Sequence, residues 1–161
     1  MSWHFCRLCA SHELAMSITR REGLIAGAAM ALTVPAARAT PEAMAVVMRE
    51  FTGAQPVRDG RVLLDLAPLI ENGNAVPVSV TVQSPMTAAD HVQSIAIFNE
   101  RNPQPEVIVF HLGARAGRAV VSTRIRLATS QQVVALARMS DGSCWRHAVD
   151  VIVTLAACVE E

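Results

Sequence analysis

No lysine and no tyrosine occur among the 161 residues, and there are only two tryptophans and four phenylalanines. Without lysine there is no Schiff-base nucleophile, and no basic block of the kind that grips nucleic acid. Fourteen basic side chains balance fourteen acidic ones, so no one-signed field is available to steer a polyanion. The apolar runs fall short of the roughly 20 residues that cross a bilayer as a helix. Signatures of common enzymes are missing too: there is no Gly-x-Ser-x-Gly, no His-Glu-x-x-His, no phosphate loop and no dinucleotide fingerprint. The expectation is a protein without cofactor or metal that engages neither nucleic acid nor membrane.

What is present begins with an export signal. Arg20-Arg21 lead into the apolar stretch Leu24–Val34, and Ala37-Arg38-Ala39 is a small-x-small cleavage site. Residues 1–39 therefore read as a leader with a twin-arginine signal and imply a periplasmic destination, with Met16 the better-placed start. Gly23 stands where that signal usually has Phe. On this reading Cys6 and Cys9 belong to the leader and form no redox or metal pair. Removing residues 1–39 takes away Arg7, Arg20, Arg21, Arg38, Glu13 and Glu22. Ten arginines and twelve acids remain, a net charge of about −2, together with two cysteines, Cys144 and Cys158.

The remainder opens with a helix over 41–52. Thr40 can cap it, Pro41 suits its first position, Met44, Val47, Met48 and Phe51 share one face, and Gly53 stops it. Core packing is the expected use of that methionine-bearing face. Alternating patterns then predict about seven strands, over 61–66, 76–82, 91–98, 107–112, 118–127, 132–139 and from Cys144 to Leu155. In the last, Val149, Val151, Val153 and Leu155 form the inward set. Pro77 suggests that its strand lies at a sheet edge, and Glu71-Asn72-Gly73-Asn74 reads as a turn. The fold class is mainly β: an immunoglobulin-like antiparallel β-sandwich of about seven strands over 40–155, with one N-terminal helix. His91, His111 and His147 lie on separate strands, so a metal site would need the fold to converge them. Arg118, Arg124 and Arg126 share a strand face, which is either solvated or a surface for anions.

Past the last strand, residues 156–161 form a short arm, with Cys158 between Ala156-Ala157 and Val159. A cysteine there has little backbone to hold it, unlike a structural cysteine inside an element. Three readings follow. Cys158 is a covalent attachment point; or the sandwich is a binding or assembly module in which Cys158 is dispensable; or Cys158 and Cys144 form a redox pair. The last requires the arm to fold back, because the two cysteines flank the same strand.

Several segments taken in order, Glu71-Asn72-Gly73-Asn74-x-Val76-Pro77, Ser84-Pro85-Met86-Thr87, Arg124-Ile125-Arg126-Leu127-Ala128 and Met139-Ser140-Asp141-Gly142-Ser143, resemble SoxY, the sulfur-carrier subunit of periplasmic thiosulfate oxidation. The resemblance implies an immunoglobulin-like sandwich paired with a SoxZ-like subunit. It further implies a non-enzymatic carrier that holds sulfur intermediates on Cys158 and is served by Sox-type loading and unloading enzymes. SoxY proteins carry that cysteine in a Gly-Gly-Cys-Gly-Gly tail. Here Ala156-Ala157 and Val159-Glu160-Glu161 replace the glycines, an ending similar to a SoxY-related group with an Ala-Ala-Cys-Ile-Glu arm. Alanine samples fewer backbone states than glycine, so this arm is the stiffer one. Glu160 and Glu161 disfavour a thiolate and repel anions such as thiosulfate, which leaves the cargo open.

Overall fold

The computed structural model describes residues 39–157. Its helix, α1 (Pro41–Thr52), has the expected ends: Thr40 Oγ1 accepts from the Ala43 N–H at 3.2 Å. Gly53 takes the left-handed conformation at φ 61°, returning its N–H to the Glu50 carbonyl. The strands are β1 (Val57–Asp59), β2 (Val62–Asp65), β3 (Leu69–Ile70), β4 (Val76–Val82), β5 (Val92–Asn99), β6 (Glu106–His111), β7 (Val120–Ile125), β8 (Gln131–Met139) and β9 (Cys144–Val153).

Two sheets face each other. The larger runs β1-β9-β8-β5-β6, with β3 also paired to β9; the smaller runs β2-β4-β7. Their facing sides, including Leu64, Val78, Val80, Ile95, Ile97 and Val133, form the main core. On its other side the large sheet receives α1, where Met44, Val47, Met48 and Phe51 pack over Ala96, Phe98, Val134 and Leu136. The Phe51 and Phe98 rings meet edge to face, centroids 5.8 Å apart. With both faces covered, β5 and β8 are buried almost throughout, as their unbroken apolar runs require. The methionines of α1 thus serve packing.

All seven expected strands are present within a residue or two, and the sandwich is of the immunoglobulin-like type. Three expectations are corrected. First, β1 and β3 are additional, and both pair parallel to β9; segments of three and two residues carry no period to read. Second, Pro77 is not on an edge strand, since β4 is the middle of the small sheet. β2 covers only Ser79–Val82 of β4, so at Pro77 the only neighbour is Arg124 of β7 and the other side needs no N–H. Third, the alternation of β9 stops at Val153, and Leu155 faces solvent instead of the core. Of the expected leader, residues 1–38 lie outside the described residues; Ala39 is described, buried with its N–H donating to Asn102 O at 3.0 Å. Among those described, no helix is long and apolar enough to cross a membrane.

Candidate functional site

The site is built from the segment Arg126–Ala128, which continues β7 beyond its last sheet pair. Asn102 holds it with its side-chain amide: Nδ2 donates to the Arg126 carbonyl at 2.7 Å, and Oδ1 accepts from the Ala128 N–H at 3.0 Å. Gln131 Nε2 donates to the same Oδ1 at 3.1 Å. Between those ties the Leu127 side chain is fully buried. Its backbone faces the Glu71–Asn74 turn, where its N–H donates to the Gly73 carbonyl at 2.8 Å. Asn72 shapes that turn by accepting the Asn74 N–H on Oδ1 at 2.9 Å.

The chain leaving β9 is laid against this turn. Thr154 N–H donates to Ile70 O at 2.9 Å, Leu155 N–H to Glu71 O at 3.2 Å, and Leu155 O accepts from Gly73 N–H at 2.8 Å. The Ala157 N–H then donates to Leu127 O at 3.2 Å. Ala157 is only 6% exposed, while Ala156 is exposed. Gly73 permits this approach: a Cβ there would stand 2.3 Å from Leu127 O, 2.9 Å from Ala157 N and 3.2 Å from Val153 Cγ1. Its backbone has no positive φ, so the glycine serves close approach and not turn geometry. Of the arm residues, Ala157 is therefore tied to the domain by its backbone N–H, and Ala156 bridges it to the bonded Leu155. Cys158 and Val159 lie outside the described residues.

Cys144 sits at the opposite end of β9. It is unpaired and 0% exposed, with Sγ 3.8 Å from Gly142 O and 4.0 Å from Thr52 O. Burial pushes its thiol pKa up; Arg138 pulls the other way and Asp141 adds to the rise. Nine strand steps separate Cys144 from Val153, about 30 Å at the usual rise. The Gly73 seat against which Ala157 rests also touches Val153. The last described residue of the arm, Ala157, therefore lies at the far end of β9 from Cys144, whereas a disulfide needs Cα atoms within about 7 Å.

The remaining candidates do not converge. His91 precedes β5 with Nδ1 3.1 Å from Thr87 O, His111 ends β6 exposed, and the half-buried His147 accepts the Leu64 N–H on Nδ1 at 3.0 Å. That last bond joins the two sheets. No group of three metal-ligating side chains occurs among the described residues. Arg118, Arg124 and Arg126 are all exposed, although only Arg124 lies within β7. Sequence reading missed the seat made by Gly73, Leu127 and Asn102. Its only signal was a glycine in a turn that needed no positive φ. It also missed the stacking of Arg58 and Arg61 on Trp145, 5.8 and 5.2 Å from the ring centre.

Residues 48–158 match the family model of the sulfur oxidation protein SoxY. Among solved structures, the sulfur carrier protein SoxY from Chlorobium limicola f thiosulfatophilum shares 25% identity, covering 66% of this chain and 88% of its own, with a TM-score of 0.57. A superoxide reductase (neelaredoxin) from Ignicoccus hospitalis shares 14% identity over 71% of this chain and 94% of its own, at a TM-score of 0.53. The superoxide reductase from Nanoarchaeum equitans shares 9% over 60% of this chain and 100% of its own, at 0.50. Likeness at these low identities is likeness of fold. No curated protein matches the sequence.

Proposed function

This chain belongs to the SoxY family of sulfur oxidation proteins, and from that premise we propose that it is a periplasmic carrier which holds a sulfur-containing intermediate covalently on Cys158 and presents it to partner enzymes. The observation that carries the reading is the contrast between two cysteines. Cys144 is sealed in the sandwich with its thiol pKa raised, which makes it a poor nucleophile. Cys158 directly follows a residue fixed at the surface seat, and it is the last residue of the family match. A SoxY described as a sulfur carrier protein shares the fold.

Joining the Cys158 sulfur to a thiol-level cargo sulfur removes two electrons and two protons, so the loading partner must accept electrons. Glu160 and Glu161 disfavour a thiolate at Cys158, and the loading partner offsets them with positive charge of its own. A SoxZ-like subunit forms a stable heterodimer with the sandwich, burying at least ~1,200 Å² in total. Export by the twin-arginine route places the carrier in the periplasm.

The test is the intact mass of the protein isolated without reductant from the periplasm of its native cells, for wild type and Cys158→Ser. An added mass on wild type that Cys158→Ser lacks supports the carrier and identifies the cargo. Should Cys158→Ser sustain sulfur oxidation as wild type does, the sandwich is a binding or assembly subunit and the carrier reading is wrong.

A further inference from the structure

A carrier cysteine on a long flexible arm can enter a deep active site while the body of the carrier stays away. Here the tether is short. Ala157 is hydrogen-bonded to Leu127 O and nearly fully buried, and Cys158 is the next residue. Consecutive Cα atoms are about 3.8 Å apart, so the thiol extends one residue beyond the seat while the seat holds. A protein that acts on Cys158 must then come up against the domain surface around the seat.

That surface has an unusual composition. Leu69, Ile152 and Leu155 are 59%, 61% and 61% exposed. Leu69 and Ile152 are direct neighbours across the β3–β9 pair. Leu155 follows three residues after Ile152 and two before Ala157, held by Glu71 and Gly73. Half of the six large, well-exposed apolar side chains among the described residues lie at this corner. Apolar groups gathered at one spot mark contact surfaces more often than chance exposure does. The β3–β9 pairing holds the backbone at Leu69 and Ile152, and the tail bonds hold it at Leu155, so the patch and the tether are carried on one continuous backbone framework.

Resting on the carrier reading, we infer that the enzyme acting on Cys158 docks on the Leu69–Ile152–Leu155 corner, so that Cys158 is presented by surface contact and not by a free swing. The partner that fits has an apolar rim around its active-site mouth. It also has cationic groups within, to receive the thiol together with Glu160 and Glu161.

The test uses Leu69→Gln with Ile152→Gln, which removes apolar contact without adding charge, in place of the native chain in its own cells. Leu63→Gln with Val120→Gln is the control: both side chains are exposed on the outer side of the small sheet, opposite Thr81. Three quantities are read: the fraction of protein with added mass on Cys158, the iodoacetamide labelling rate of the reduced protein, and the oligomeric state by light scattering. The corner variant should lose loading by about tenfold or more, a loss in line with one or two hot-spot side chains. Its labelling rate and oligomeric state should match wild type, and the control should load normally. A corner variant that loads like wild type overturns the docking surface. Loss of a stably bound subunit from the corner variant also overturns it, by assigning the corner to that subunit. Absence of added mass on wild type refutes the carrier reading itself, a separate outcome.

Discussion

Gly73→Ala is the sharpest perturbation of the seat. The new methyl would lie 2.3 Å from Leu127 O and 2.9 Å from Ala157 N. Both are backbone atoms, so no rotamer change relieves the contact. Leu127 cannot withdraw easily, because its side chain is buried and its flanks are tied to Asn102. The Glu71–Asn74 turn must therefore lift, and it takes with it the Leu127–Gly73 and Gly73–Leu155 bonds. Overpacking of this kind costs about 1–3 kcal/mol. For a domain of this size that lowers Tm by about 3–4 °C per kcal/mol. Backbone amide exchange should show Gly73, Leu127 and Ala157 losing protection by about tenfold or more, since 1.4 kcal/mol is a factor of ten. Amides in the middle of β5 and β8 should change only with global stability. Gly113→Ala is the control, because a Cβ at Gly113 meets nothing within 4 Å and its φ of −110° suits alanine. If Gly73→Ala matches Gly113→Ala in Tm and in Ala157 exchange, the tail does not rest on Gly73 and the short-tether argument fails.

Alkylation of the native protein should modify Cys158 at least about tenfold faster than Cys144, with Cys144 reacting only on denaturation; faster reaction at Cys144 would remove the basis of the carrier reading. Folding raises the Cys144 pKa, so the native state keeps a proton that the unfolded chain gives up. This stabilisation is complete below the ~8.5 of a free thiol and is lost as pH rises through the folded value. Denaturant titrations should therefore show a steeper alkaline decline for wild type than for Cys144→Ala. His147→Ala leaves the Leu64 N–H without its acceptor and should cost about 1–3 kcal/mol in the same titrations, whereas His111→Ala, at an exposed strand end, should be close to neutral. Arg20→Lys with Arg21→Lys should leave unprocessed precursor in the cytoplasm, and normal export of that variant would refute the twin-arginine route.

The helix was legible because its signals are local: a capping Thr40, Pro41 at the first position, four apolar residues on one face, and Gly53. The long strands were legible because each alternates, or is apolar throughout where both faces are covered. Pro77 misled because its cost depends on how far β2 extends beside it, which is a property of the partner strand. Leu155 misled because the pattern Val-x-Val-x-Leu continues in the sequence after the sheet pairing has ended. The tail was read as unanchored because Ala156 and Ala157 have no polar side chain to suggest a bond. The bond that holds Ala157 runs from backbone to backbone, and side-chain identity does not report it. Only Gly73 leaves a trace, and a glycine in a turn is ordinarily explained by conformation before crowding.

The parallel pairing of β9 with β1 and β3 has a kinetic consequence. Val57 meets Cys144 and Leu69 meets Ile152, contacts between residues more than eighty positions apart. Topologies dominated by such distant pairings fold slowly, because the intervening loop must close before any contact repays it. During synthesis residues 57–70 emerge early and wait, with open strand edges, for β9 to arrive. The tail seat is among the last structures to form, since its walls come from residues 71–74, 102 and 126–128 and its occupant follows β9. A nascent or misfolded chain can possess the tail sequence without possessing the seat on which Ala157 rests. Closure of the sandwich around β9 thus precedes completion of the seat in the order in which the chain is made.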